Sequence, residues 1–345
     1  MGTVWMCYDP HIMEKPFFLW GLRMVESDIN EFPIGNAFIK FSKSIEDRCE
    51  VETESRIWDL GSKAPDCYEG VGTVLSYLDR MGSCHWGCNG NDHSIQYLCG
   101  AVSSNGRAAL RLIQMGFYDE SLLIVRHIGE VANLLALFRM DGSNFEEWNL
   151  FQNRFTPAEV RARLKSLTNL EPPINSERYS ALSHRFVHPN AELRPQLFNL
   201  VGVPTTGGKL QEAGLLVTLN ELALPLAYAC IAGALILNIS DDLTRDIEAA
   251  AEHLLEQVGE VGLAGYEKIL GATQTDDQTR DTLRQRGRDL VEFQKSLQDF
   301  WHTRTTPKLP LGRWLVENMP RGTNLEPPPR DDFGRPNPFL DETFQ

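Results

Sequence analysis

Between about Asp66 and Trp301, apolar residues return every three or four positions, the spacing of one buried helix face. The first strong segment runs from His93 through Ile113, with Asp92 as its cap and Gly116 ending it. Asp119 opens a second, Glu120 to Arg139, carrying Leu123, Val131, Leu134, Leu135 and Phe138. The short link Gly116-Phe117-Tyr118-Asp119 makes these two an antiparallel hairpin. Thr156-Pro157-Ala158-Glu159 then spells a helix start. Threonine caps, proline occupies the first turn and glutamate reaches back. That helix runs to about Leu167. Pro172-Pro173 breaks the chain, and Asn175 or Ser176 caps the next helix. A loop rich in proline and glycine follows over 189–208. Gln211 to Leu237 is a long apolar helix with a kink expected at Pro225. Asp241 or Asp242 starts another through Gln257, and 276–301 reads as a last, amphipathic one.

The two ends lack this period. Prolines at Pro10, Pro16, Pro33 and Pro65 punctuate the first 65 residues, and Phe38-Ile39-Lys40-Phe41 reads as a short strand in a wrapping extension. After Thr303 the chain is rich in proline and charge and reads as an extended, disordered-like tail. The expected fold is therefore mainly α: a helical bundle over 66–302, an irregular N-terminal extension over 1–65 and a tail over 303–345. No repeat of solenoid length is present.

Composition adds limits. At 345 residues, 42% hydrophobic and 23% charged, the chain can bury a full core. Its net charge of −14 repels nucleic acid over most of the surface, so an RNA site requires a local basic spot or a partner. Met1 to Cys7 carries no early lysine or arginine and does not read as a signal peptide. Leu222 to Asn238 is uncharged, yet it is short for a span of roughly 20 apolar residues and holds Pro225, so a buried core helix is expected and no membrane. Seven cysteines, an odd number, suit a reducing compartment, and the cytoplasm is the expected location.

The residues with the most chemistry lie just past the double proline, in Glu177-Arg178-Tyr179-Ser180-Ala181-Leu182-Ser183-His184-Arg185-Phe186-Val187-His188-Pro189-Asn190. Arginine holds a phosphate with a fixed fork of donors, and histidine moves a proton near neutral pH. Together they suffice for cutting RNA without a metal. On a helix, Arg178 and His184 stand roughly 120° apart and about 9 Å along the axis, so both can border one cleft. His184 and His188 are four apart and share a face if the helix lasts. Pro189 biases His188 to the terminus, where the helix dipole favours its protonated form.

Arg178-(five residues)-His184 resembles the arginine, four to six residues, histidine signature of the HEPN domain superfamily of helical bundles found in bacterial toxin–antitoxin and antiphage systems. Tyr179, Leu182-Ser183 and His188-Pro189 are similar to a pattern in abortive-infection-like relatives, where an upstream helix carries arginine and glutamate four apart, as Arg126 and Glu130 stand here. The resemblance covers about 93–190. It implies a metal-independent endoribonuclease acting on RNA as a homodimer or larger oligomer, with a protein partner in a defence system. In that scheme Arg178 stabilises the phosphorane, His184 assists the ribose 2′-hydroxyl, and His188, Glu130 and Arg126 support them. The competing expectation is a non-catalytic interaction or scaffold protein in which Arg178 pairs with a carboxylate such as Glu130 and the histidines close the bundle.

Two further clusters bear on this. Arg126, Glu130 and Asn133 lie along one face of the second helix, either as an ion-pair network or with Glu130 orienting His184 or His188. Cys84, Cys88, His93 and Cys99 offer four ligands to a zinc ion, though three residues rather than two separate the first cysteines and a helical Cys99 points away from His93. Trp148, Phe151 and Phe155 are expected core anchors. Thr205-Thr206-Gly207-Gly208-Lys209 lacks the spacing of a phosphate loop.

Overall fold

A computed structural model describes residues 34–61, 63–86, 93–150, 155–168, 172, 174–183, 198–199, 208–237, 239–272 and 281. The described residues are mainly helical and contain no strand. The chain divides into two compact units, Met1–Ser44 and Ile45–Gln345. The described part of the first is the beginning of a helix, α1 (Ile34–Ile57), that continues into the second. Phe38-Ile39-Lys40-Phe41 thus belongs to a helix and not to the strand its local composition suggested. The expected helix at 276–301, the tail after 303 and most of the loop at 189–208 lie outside the described residues.

The second unit adds α2 (Ala64–Gly82), α3 (Ser94–Gln114), α4 (Tyr118–Met140), α5 (Gly142–Leu150), α6 (Pro157–Thr168), α7 (Ser176–Leu182), α8 (Glu212–Leu237), α9 (Asp241–Gln257) and α10 (Glu260–Ala272). Local signals set several of these limits. Pro65 sits in the first turn of α2, and Gly116, at φ +80°, closes α3 and lets the chain turn into α4. At α6 the Glu159 amide donates to Thr156 Oγ1 at 3.3 Å while the Thr156 amide donates to Glu159 Oε2 at 2.7 Å. That reciprocal capping is the one the sequence spells.

α8 is the axis of the bundle. It packs against α2, α3, α4, α9 and α10, and nearly all its side chains are buried. A helix that is apolar all round has no face to give to water, so its neighbours must enclose it. α4 and α8 are both long and apolar enough to cross a membrane by composition, but the apolar stretch of α8 is wholly buried against protein. α10 reaches α8 through glycines: a Cβ at Gly265 would stand 2.7 Å from Val217 Cγ2. Phe138, Phe145 and Trp148 form an aromatic cluster where α4 meets α5. Phe155 packs on the core edge, and Phe151 lies outside the described residues.

The start of α4 is tied to a distant segment. Asp119 does not cap its own helix. Its carboxylate accepts the amides of Phe198 at 2.9 Å and Asn199 at 3.0 Å. Asn199 Oδ1 in turn accepts the Tyr118 amide at 2.9 Å. Burial pushes the Asp119 carboxyl up to about 6, against the pull of those amides. This clasp ties Phe198 and Asn199 to the start of α4.

Candidate functional site

The face of α4 that carries Arg126, Gly129, Glu130 and Asn133 receives the chain just after the double proline. Gly129 has no side chain, and Ile174 occupies the space: a Cβ there would lie 2.6 Å from Ile174 Cγ1. Asn133 then clasps the Ile174 backbone on both sides, donating Nδ2 to its carbonyl at 2.9 Å and accepting its amide at 3.2 Å. A buried amide side chain facing a bare backbone satisfies both partners at once. The next residue, Asn175, caps α7 by accepting the Arg178 amide at 2.9 Å.

α7 is short and held from two sides by adjacent residues. Arg178 turns toward α8, where its Nη2 meets Glu221 Oε2 at 2.6 Å, with the two side chains 10% and 11% exposed. Tyr179 turns toward α4, where its hydroxyl accepts Arg126 Nη2. The same Arg126 nitrogen lies 3.0 Å from Glu130 Oε1. The guanidinium carbons of Arg126 and Arg161 lie 4.6 Å and 4.4 Å from the Tyr179 ring centre. Burial pulls the Glu130 carboxyl up, but its hydrogen bond with His127 and the charge of Arg126 outweigh this and hold it below the usual range. The hydrogen bond with Glu130 raises the His127 imidazole.

Of the residues singled out in the sequence, Arg126 and Glu130 come together around Tyr179, and Arg178 does not join them. The carboxylate that pairs with Arg178 is Glu221 and not Glu130. His184 and His188 lie outside the described residues. Arg178 Nε, Arg126 Nε and the Ser183 hydroxyl are buried without a hydrogen-bond partner among the described residues. Glu221 had a signal that could have found it. It is the lone charge in the apolar middle of α8, and a buried carboxylate demands a cation. The partnership of Tyr179 with Arg161 had none, because it is made only in space.

The zinc candidates that are described, Cys84, His93 and Cys99, do not gather as a metal group. Cys99 is fully buried in α3, against Gly233 of α8 and Met81, where its thiol is pushed up to about 12 by burial. A zinc ligand must be a thiolate, which that setting opposes. Cys84 sits at φ 54° after α2, His93 precedes α3, and Cys88 lies outside the described residues. Among the described residues no three His, Cys, Asp or Glu side chains gather as a metal would need.

Comparison with protein families, curated proteins and solved structures finds no match for this chain. The chemistry of the site therefore stands on its own geometry.

Proposed function

We propose that this chain is a non-catalytic helical interaction protein whose Arg/Glu/Tyr contacts brace α7 against the bundle. The observation that carries this reading is the Arg178–Glu221 pair, at 2.6 Å and about one-tenth exposed on each side. A guanidinium that stabilises a phosphorane must reach the substrate, and this one faces an internal carboxylate. The net charge of −14 suits a protein partner better than a polyanion. Val51 on α1 and Trp58 just past its end are exposed along with Tyr97 on α3, and such apolar groups suit a protein contact in the cytoplasm.

The second reading, a HEPN-like, metal-independent endoribonuclease of a defence or toxin system working as a homodimer, is favoured by one observation. Arg178 Nε and the Ser183 hydroxyl have no partner among the described residues, and His184 follows directly. In that reading Glu221 is a plug that must let go of Arg178.

One assay separates the two. The purified chain is incubated with RNA in the presence of chelator, and cyclic-phosphate ends are counted for the wild type, Arg178→Ala and Glu221→Gln. The interaction reading expects no such ends from any of them. Cutting that Glu221→Gln raises and Arg178→Ala abolishes would overturn it in favour of the nuclease.

A further inference from the structure

Arg161, on α6, stands beside the site and, among the described residues, pairs with no carboxylate. Its Nε donates to Ser176 Oγ at 3.3 Å, and its guanidinium carbon lies 4.4 Å from the Tyr179 ring centre. Among the described residues its terminal nitrogens meet no carboxylate and no other acceptor. Arg126 lies against the same ring, so two guanidinium groups share one tyrosine. The carboxylate of this group, Glu130, is already paired with Arg126. The cluster of Arg126, Arg161 and Glu130 therefore carries one excess positive charge in a chain whose net charge is −14. Partial burial lowers the Arg161 guanidinium, the charge of Arg126 adds to this, and Tyr179 and Glu130 only partly oppose it. A half-enclosed cation beside another cation is a vacancy for an anion.

We propose that Arg161 and Arg126, which both lie against the Tyr179 ring, form a binding site for the phosphate group of a small phosphate monoester. The planar fork of Arg161 presents two parallel donors, which match two phosphate oxygens. A phosphate monoester carries about −1.5 to −2 charge and three acceptor oxygens at neutral pH, so it can use both guanidinium groups where a carboxylate matches one fork. An RNA strand offers the same oxygens, but a chain of net charge −14 repels a polyanion far more than it repels one small ester. Ser176, at the start of α7, is already bonded to Arg161, so an occupant would be sensed by the helix that carries Arg178.

Calorimetric titration of the full chain at constant ionic strength tests this, with inorganic phosphate, adenosine monophosphate and a short single-stranded RNA as separate arms. Phosphate and the monophosphate are expected to bind the wild type. Arg161→Gln should weaken both by roughly ten- to hundredfold, and Arg161→Lys, which keeps the charge but loses the fork, should fall between. Far-UV circular dichroism checks that α6 is intact in both variants. Equal affinity in wild type and Arg161→Gln, or heat no greater than an equal concentration of chloride gives, would overturn the site. RNA binding tighter than the monophosphate and lost in Arg161→Gln would overturn the small-molecule assignment.

Discussion

Arg178 of α7 and Glu221 of α8 are joined at 2.6 Å beneath the surface. Its neighbour Tyr179 is bound to Arg126 of α4. Two consecutive side chains thus pin one short helix to two long ones, and the segment leading to His184 starts from that pinned point. The pairing has an energetic logic. Glu221 interrupts an apolar helix and would be costly without a cation, and Arg178 of α7 supplies that cation.

The α4 half of the clamp can be tested without touching Arg178. Tyr179→Phe removes the hydroxyl shared with Arg126 but keeps the ring, and should cost about 1–2 kcal/mol in urea unfolding. Tyr179→Leu also removes the surface on which Arg126 and Arg161 rest, and should cost about 1 kcal/mol more. A Phe variant as stable as the wild type would show that the hydroxyl contributes nothing.

The contact of α2 with α3 makes an asymmetric prediction for two glycines that face each other. A Cβ at Gly82 would stand 2.5 Å from Gly100 Cα, backbone against backbone. A Cβ at Gly100 would be 3.5 Å from Gly82 Cα, an ordinary contact. Gly82→Ala should therefore destabilise by roughly 1–3 kcal/mol. Gly100→Ala should be neutral or gain up to about 1 kcal/mol from helix propensity. Thermal unfolding of the two single variants decides this, and equal effects would contradict the approach distance.

Asp119 predicts a pH dependence. The folded chain holds its proton up to about 6, against an ordinary value of 3.8, because burial penalises the charged form. Protonation therefore favours the fold. The penalty is present above pH 6, shrinks as pH falls through 6, and is gone below 3.8. Asp119→Asn removes this titration, while its lost backbone bonds to Phe198 and Asn199 give an offset that does not depend on pH. From pH 7.5 to pH 4 the wild type should gain on the order of 3 kcal/mol relative to the variant. Parallel stability curves would refute the shift.

How much of this was legible depended on whether the signal was local. The capping of α6, the cap at Asn175, the α3–α4 hairpin and the burial of α8 each follow from a few consecutive residues, and the structure has all of them. α1 was missed because Phe38-Ile39-Lys40-Phe41 imitates a strand, while the helix is set by the charged run after it. α10 gave little sign because its glycines weaken helix propensity; they are there to let it approach α8. In the candidate site, Arg126 and Glu130 were found from their spacing of four. The partner of Arg178 was not, since Glu221 is 43 residues away and only the fold brings it near.

The central claim, that Arg178 serves the fold through Glu221, is tested most directly by a double-mutant cycle in chemical unfolding, with Arg178→Met, Glu221→Leu and the pair together. Each single change strands a buried charge and should cost about 3–5 kcal/mol, while the double variant, with two apolar groups in place of the ions, should cost far less than the sum. A fully stable Arg178→Met, or losses that simply add, would mean that the guanidinium is not committed to α8 and is available for chemistry elsewhere.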